Sequence, residues 1–418
     1  MSEVNDSEGL MTAVALCAVG AEKALSNELK KLGFQLVDSG FGRVRFRADT
    51  GGLYCALMGL RTADRVLLEV GFFAAGDFDG LFEGARGLAW EHLIPAEMGL
   101  AVVKVRSNRS QLRAETSIQA VTHKAIAERL CDKHKISRIP EGGQTAEVRV
   151  YVEKDMVSLL LDLSGEPLFR RGYRTEGGIA PLRETTAAAI LLLSGWRRKF
   201  PLYDPFCGSG TILIEAAMYA WDLAPGLGRR FAIENFLFAD KKAERETREE
   251  FRARVNLDRI IRIAGSDGDS RAVSIAQSNC ERARDLAEGR APGKGIRPAV
   301  LTESALRGMP VLRARTMDKA RFPFEMAERD AAESPEKTSA GFIVTNPPYG
   351  RRLGETGEAE RIYSEMKKLG GHFSGWKLAV ITDHPGFESF FGSKADSCRE
   401  ISNGAVQSYF YQYERISG

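Results

Sequence analysis

Residues 341–349 read Gly-Phe-Ile-Val-Thr-Asn-Pro-Pro-Tyr, an apolar run cut short by two consecutive prolines. Such a run is a buried strand, and proline, which has no N–H, cannot extend its ladder. The chain must therefore contain a sheet whose interior strand ends here and opens onto a turn. The prolines leave carbonyl oxygens that no neighbouring strand takes up. Asn346, Pro347, Pro348 and Tyr349 thus bring an amide side chain, a backbone carbonyl and an aromatic face to one point. Two acceptors, the Asn346 amide oxygen and the Pro347 carbonyl, suit the two hydrogens of a planar NH2 group. Tyr349 can lie flat on the ring that bears it. The same residues also arise as an ordinary strand-to-loop turn, so the assignment depends on what precedes them.

Upstream, Leu202-Tyr203-Asp204-Pro205-Phe206-Cys207-Gly208-Ser209-Gly210-Thr211 leads into Ile212-Leu213-Ile214-Glu215-Ala216-Ala217, which reads as strand, glycine turn and helix. Gly208 and Gly210 let backbone N–H groups approach a ligand at a helix start. The spacing is not that of the dinucleotide fingerprint, and no Lys follows as in a P-loop. Ile261-Arg262-Ile263-Ala264-Gly265-Ser266-Asp267 is a second strand ending in an acid, which can accept both ribose hydroxyls of a nucleoside. Glycine turn, ribose acid and Asn-Pro-Pro-Tyr follow in the order expected for an S-adenosylmethionine site beside an amine-holding site. The candidate cofactor residues are Asp204, Phe206, Gly208, Ser209, Gly210, Thr211 and Asp267. Asp269 either assists Asp267 or caps the next helix, and Cys207 reads as packing rather than as a nucleophile.

These motifs resemble the bacterial THUMP-domain RNA methyltransferases that act on the N2 amine of guanine. The resemblance extends to Leu161-Asp162-Leu163-Ser164-Gly165-Glu166-Pro167-Leu168, Arg170-Arg171-Gly172-Tyr173-Arg174 and Ala180-Pro181-Leu182-Arg183-Glu184-Thr185. Leu60-Arg61-Thr62-Ala63-Asp64-Arg65 and Asn403-Gly404 match as well. It implies an α/β chain in three parts: a ferredoxin-like subdomain at 1–70, a THUMP RNA-binding domain at 71–165, and a Rossmann-like methyltransferase domain at 166–418 with an antiparallel C-terminal hairpin. It implies S-adenosylmethionine as cofactor and RNA as partner, with large-subunit ribosomal RNA favoured over transfer RNA. Relatives commonly carry an Asp for the adenine amine after their third strand. Here the stretch is Val300-Leu301-Thr302-Glu303-Ser304, so Glu303 or Ser304 would take that contact. Arg351 and Arg352 would hold flanking phosphates or the guanine edge. DNA adenine-N6 and protein glutamine-N5 methylation share the Asn-Pro-Pro-Tyr chemistry, and a non-catalytic RNA-binding factor could keep the fold.

The first sixty residues alternate strand, helix, strand and helix. Strands are expected at 13–19, 42–48 and 65–73, with helices at 22–32 and 53–60, the first stopped by Gly33. A strand at 101–106, a helix at 116–130 and a hairpin of 147–152 with 156–163 follow. Beyond about residue 184, buried strands alternate with helices as in a doubly wound sheet. Residues 311–340 are charged, contain Pro323 and Pro335, and read as an inserted mobile surface loop, with an RNA-contacting flap as the alternative.

Charge and composition exclude little. The net charge of +3 does not by itself argue for nucleic acid, but residues 101–150 hold ten Lys or Arg against five Asp or Glu. Arg106, Arg109, Arg113 and Lys124 are the candidate RNA-phosphate contacts, against a plain solvated helix face. Arg43, Arg45 and Arg47 alternate with Val44, Phe46 and Ala48, so a strand sets them on one face, either a second RNA surface or the wet side of a sheet. Cys17, Cys55, Cys131, Cys207, Cys280 and Cys398 are scattered, which predicts reduced thiols in the cytoplasm and no metal site. No apolar stretch approaches the roughly 18 residues of a membrane span, and the polar N-terminus does not read as a signal peptide. No membrane association and no obligate protein partner are expected.

Overall fold

The computed structural model describes residues 9–174, 182–259, 261–289, 311–314, 341–349, 356–404 and 406–417. Two compact units divide the chain. One comprises Met1–Cys17, Ser26–Leu168 and Arg229–Glu249, and the other Ala18–Leu25, Phe169–Gly228 and Glu250–Gly418.

In chain order the first part contains β1 (Met11–Cys17), α1 (Glu22–Lys31), β2 (Gln35–Gly40), β3 (Arg43–Ala48), α2 (Thr50–Gly59) and β4 (Ala63–Ala74). It continues with α3 (Phe78–Arg86), β5 (Gly99–Asn108), α4 (Glu115–His134), β6 (Thr145–Glu153) and β7 (Met156–Asp162). Their strands form one sheet in the order β2-β3-β1-β4-β7-β6-β5, antiparallel except for the β5–β6 pair. β4 crosses residue 70 and pairs with β1 on one side and β7 on the other. β4 thus joins the strands before and after residue 70 into one sheet.

β3 carries the expected alternation, with Val44, Phe46 and Ala48 buried. Two of its arginines are knitted to acids. Arg45 pairs with Asp38 at 2.9 Å and with Glu69, and its guanidinium lies 5.2 Å over the Phe72 ring. Arg43 meets Glu153 at 3.4 Å. With Arg43 and Arg45 neutralised in this way, the wet side of a sheet is favoured over a second RNA surface.

The second part contains α5 (Glu184–Leu193), β8 (Leu202–Asp204), α6 (Thr211–Ala220), α7 (Lys241–Arg254), β9 (Ile263–Asp267), α8 (Ser270–Ala287), β10 (Val311–Ala314) and β11 (Phe342–Thr345). It ends with α9 (Thr356–Glu365), α10 (Lys368–His372), β12 (Lys377–Thr382), α11 (Phe387–Phe391), β13 (Ser397–Asn403) and β14 (Val406–Tyr413). The strand order is β10-β9-β8-β11-β12-β14-β13. The first five are mutually parallel, and β14 runs antiparallel to both β12 and β13. This is the Rossmann-like methyltransferase arrangement with its C-terminal hairpin. Apolar residues dominate α5 and α6, and both helices are buried along most of their length. Beneath the parallel strands, Tyr203, Ile343, Tyr363, Phe373, Leu378, Phe387 and Tyr411 form a shared core.

Strand order reverses between β8 and β11. Successive crossovers carry the chain outward from β8 to β9 and β10, and the chain then returns to the other side of β8 as β11. At such a reversal the loops leaving the two strands part company and open a crevice beyond their carboxyl ends. The glycine turn leaves β8 there, and Asn346 leaves β11.

The sequence reading is corrected at one place. Val311–Ala314 is not loop: it pairs in parallel register with Ala264–Asp267, and those ladder bonds make it an edge strand. Residues 315–340, the rest of the expected insertion, lie outside the described residues. β2 and α3 are additions that periodicity did not signal.

Candidate active site

Asp204 ends β8 and is 1% exposed. Its Oδ1 accepts from the Phe206 N–H at 3.1 Å and from the Thr345 hydroxyl at 2.6 Å. The second bond ties the end of β11 to the end of β8. Burial outweighs both donors and, with the neighbouring Asp267 charge, pushes the Asp204 carboxyl up to about 7.

The glycine turn is held from several sides. Cys207 N–H donates to Ser266 O at 2.9 Å, and Gly208 N–H donates to Asp267 Oδ2 at 2.9 Å. Gly208 and Gly210 have φ of 50° and 80°, the left-handed region in which a side chain is strained. They differ in surroundings. A Cβ on Gly210 would lie 3.0 Å from Ala276 Cβ of α8, whereas one on Gly208 would meet nothing within 4 Å. Gly210 is thus needed for packing as well as for its turn, while Gly208 borders open space. Cys207 is buried and its thiol is pushed far up by burial and by Asp204 and Asp267, so it is an inert packing group.

Asp267, at the end of β9, also accepts from the Asp269 N–H at 2.9 Å through Oδ1. Each of its oxygens has one recorded donor and keeps a lone pair. Asp269 caps α8 by accepting from the Arg271 N–H at 2.8 Å, the helix-capping alternative of the two readings. Phe206 packs against the core that contains Tyr203 and Ile343.

At the end of β11, Pro347 is buried, Asn346 and Tyr349 are half-buried and Pro348 is exposed. The Tyr349 hydroxyl donates to Asn346 Oδ1 at 2.5 Å. The Pro348 carbonyl accepts from the Tyr363 hydroxyl at 2.8 Å. Among the described residues no hydrogen bond to the Pro347 carbonyl is recorded. Glu303, Ser304, Arg351 and Arg352 lie outside the described residues.

Two residues at this end of the sheet, Asn279 and Arg282, carry no motif signal. Asn279, wholly buried on α8, donates through Nδ2 to Ser209 O at 2.9 Å. Arg282 bonds Asn279 Oδ1 at 2.5 Å and Tyr173 O at 2.8 Å. The Tyr173 hydroxyl donates to Glu215 Oε1 at 3.0 Å, and Arg174 reaches the Thr211 hydroxyl and Leu182 O. The Arg-Arg-Gly-Tyr-Arg stretch therefore braces the first turn of α6 and, through Arg282, the glycine turn. Spacing along one helix could have pointed to Asn279, which stands on the same face as Ala276 and Ala283; the other partners are distant in sequence. Asn403 Oδ1 accepts from the Arg183 N–H at 3.2 Å, which gives Asn403-Gly404 a place at the start of α5.

In the other unit, Arg109 and Arg113 line a cleft of about 520 Å³ with Ser107, Asn108, Ser110, Gln111 and Asp155. Asp155 is occupied by the Ser110 hydroxyl at 2.7 Å and the Gln111 N–H at 2.8 Å. Arg106 pairs with Glu115 at 3.0 Å and Lys124 with Glu128 at 3.8 Å, all largely exposed.

The family profile described as "RMKL-like, methyltransferase domain" matches residues 171–288 and 318–411, and the "RlmL ferredoxin-like domain" matches residues 12–67. The chain is 35% identical over 405 residues to the putative RNA methyltransferase YpsC of Bacillus subtilis, covering 96% of this chain and 95% of that protein. The chain belongs to this family of RNA methyltransferases. It is also 32% identical over 397 residues to the ribosomal RNA large subunit methyltransferase K/L of Syntrophotalea carbinolica, covering 93% of this chain but 51% of that protein. It thus spans about half the length of the K/L methyltransferases it resembles. Among solved structures, the crystal structure of SMU.472, a putative methyltransferase complexed with SAH, superimposes with a TM-score of 0.80 at 32% identity over 97% of this chain and 98% of that one. Both turns of the candidate site fall within the matched methyltransferase spans, and Glu303 and Ser304 fall between them.

Proposed function

We propose that this RNA methyltransferase uses S-adenosylmethionine to methylate the N2 amine of guanine in structured RNA, with large-subunit ribosomal RNA as substrate. The observation that carries the reading is the Thr345–Asp204 bond, which sets the amine-holding turn and the glycine turn at adjacent strand ends. The names of the K/L relatives favour ribosomal RNA, and the SAH in the SMU.472 complex favours the cofactor. Transfer RNA is the alternative substrate.

The residues present fit the cofactor. Gly208 borders open space, its turn is tied to Asp267, and Asp267 keeps lone pairs for ribose hydroxyls. Asp204, Phe206, Ser209, Gly210 and Thr211 complete the cradle. When bound, S-adenosylmethionine supplies an electrophilic methyl group, and an in-line displacement of this kind needs no metal.

The chain's own task is to hold the amine. The lone pair on guanine N2 is delocalised into the ring. Acceptance of both N–H bonds by Asn346 Oδ1 and the Pro347 carbonyl draws the nitrogen towards a pyramidal form and aims its lone pair. The same oxygens stabilise the positive charge that develops on nitrogen. The proton leaves to water or a neighbouring acceptor. A base buried in its stack cannot reach this turn, so it is unstacked, and the Tyr349 ring replaces its lost neighbours. The Tyr349 hydroxyl then gives up Asn346 to the incoming amine.

Residues 1–70, 71–165 and 166–418 are proposed as ferredoxin-like, THUMP and methyltransferase parts, with the first two gripping RNA in the cytoplasm. Arg109 and Arg113 are the foremost phosphate contacts: both line the cleft, and among the described residues no acid pairs with either. Arg106 and Lys124 would exchange exposed acidic partners for phosphate. Arg351 and Arg352 would flank the target base.

A methyl-transfer assay on large-subunit rRNA and on tRNA lacking the modification, with nucleoside analysis, tests the proposal. N2-methylguanosine, abolished in Asn346→Ala while cofactor binding persists, is the expected result. N6-methyladenosine would overturn the base assignment, and transfer by the variant would overturn the role of Asn346.

A further inference from the structure

The turn after β11 offers three consecutive acceptors, Asn346 Oδ1 and the carbonyls of Pro347 and Pro348, and only two can serve one amine. What separates them is a hydroxyl from another element. Tyr363, on α9, is fully buried, with its ring edge-on to His384 at 5.7 Å and to Phe387 at 5.1 Å. Its hydroxyl lies 2.8 Å from Pro348 O and 3.0 Å from the hydroxyl of Thr382, the last residue of β12.

Proton counting gives this chain one direction. Pro348 O is a carbonyl and can only accept, so the single Tyr363 proton is spent on it. Thr382 must then donate to Tyr363, and its oxygen in turn accepts from the His384 N–H at 3.2 Å. Every hydroxyl is used once as donor and once as acceptor, which is the arrangement of a brace rather than of a proton donor awaiting a substrate. Burial also raises the Tyr363 phenol to about 12, so it stays protonated under working conditions.

We infer that Tyr363 is a positioning residue for the methyl acceptor: by taking the Pro348 carbonyl, it fixes the peptide planes of the turn so that the Pro347 carbonyl is the one presented beside Asn346. The turn is then clamped from both neighbouring strands, through Thr345–Asp204 on the β8 side and Tyr363–Thr382 on the β12 side. The inference rests on the reading of Asn346 and Pro347 as the amine clamp. Proline contributes a second reason for the brace. With no N–H at 347 or 348, those two positions offer no backbone donor of their own, and a donor from another element adds restraint there.

The test is Tyr363→Phe, which keeps the ring and its packing and removes the hydroxyl alone. Misplacing a reacting group by a fraction of an ångström to 1 Å costs about ten- to hundredfold in rate. The expected result is a fall of that size in kcat, with KM for RNA and the dissociation constant for S-adenosylmethionine unchanged. Thr382→Val, which removes the donor to Tyr363, should shift kcat the same way by less, and it serves if Tyr363→Phe does not fold. A kcat within about twofold of wild type in both variants would overturn the inference. So would a parallel loss of kcat, RNA affinity and cofactor affinity that follows a lowered melting temperature, since that marks a merely structural role. Asn346→Ala separates the two levels: activity in that variant removes the underlying reading, whereas an inactive Asn346→Ala beside a fully active Tyr363→Phe overturns the inference alone.

Discussion

Replacing Asp204 by Asn should stabilise the protein, and by an amount that depends on pH in a defined way. The Asp204 carboxyl is 1% exposed, and its pKa is raised from 3.8 to about 7, chiefly by burial. A rise of about three units corresponds to roughly 4 kcal/mol as an upper figure, and partial relaxation of the site brings the expected value to about 2–4 kcal/mol. Between pH 4 and 7 the folded protein keeps this proton while the unfolded chain has lost it. Stability relative to a neutral side chain therefore falls as pH rises, by about 1.4 kcal/mol per unit, and the loss is complete above pH 7. Asn has the same shape, and both donors reach the single oxygen Oδ1, so the Thr345 and Phe206 bonds survive the exchange. Thermal unfolding of both proteins from pH 5 to 8.5 should show the variant melting higher by about 4–8 °C at pH 8. The gap should narrow steadily towards pH 5. A difference that does not vary with pH, or a variant that melts lower at pH 8, would refute the argument. Cofactor affinity should move the other way, because an ionisable group kept at such a cost beside the glycine turn is a functional expense.

Two further outcomes follow from the geometry. Gly210→Ala combines a left-handed backbone with a Cβ 3.0 Å from Ala276 Cβ, and should cost about 2–4 kcal/mol in denaturant unfolding. Gly208→Ala, with the same backbone strain but open space ahead, should cost only about 1–2 kcal/mol. Equal losses would show that packing against α8 is immaterial. Arg109→Ala and Arg113→Ala should each weaken RNA binding without changing which nucleotide is methylated, and each should reduce the salt slope of binding by about one. An unchanged slope would remove the cleft from the RNA interface.

The elements that were legible in advance are those whose signal is local. The strand expected at 42–48 and the hairpin of 147–152 with 156–163 appear within one or two residues as β3, β6 and β7, because alternating or continuous apolar residues mark them. The missed ones lack such a signal. β2 is an edge strand, largely exposed and irregular in register between Leu36 and Asp38, so it has no buried face to impose alternation. α3 carries Gly80 and Gly84 within nine residues, and its place is set by the Asp77 cap and by burial of Leu81 and Ala85. β10 exists because β9 offers it a ladder.

The sequence by itself determined which chemistry this chain can carry. Consecutive prolines end a strand wherever it lies, glycines permit left-handed turns, and an acid at a strand end stays at that end; these are covalent and steric properties of short segments. Tertiary structure alone decided how those groups are held. Tyr363 on Pro348, Asn279 on Ser209, Thr345 on Asp204, and Glu28 on the N–H groups of Arg61 and Thr62 join residues from 15 to 141 positions apart. A hydrogen bond of that kind depends on where a sheet reverses its order and which helix then covers it, and no periodicity along the chain encodes such a distance.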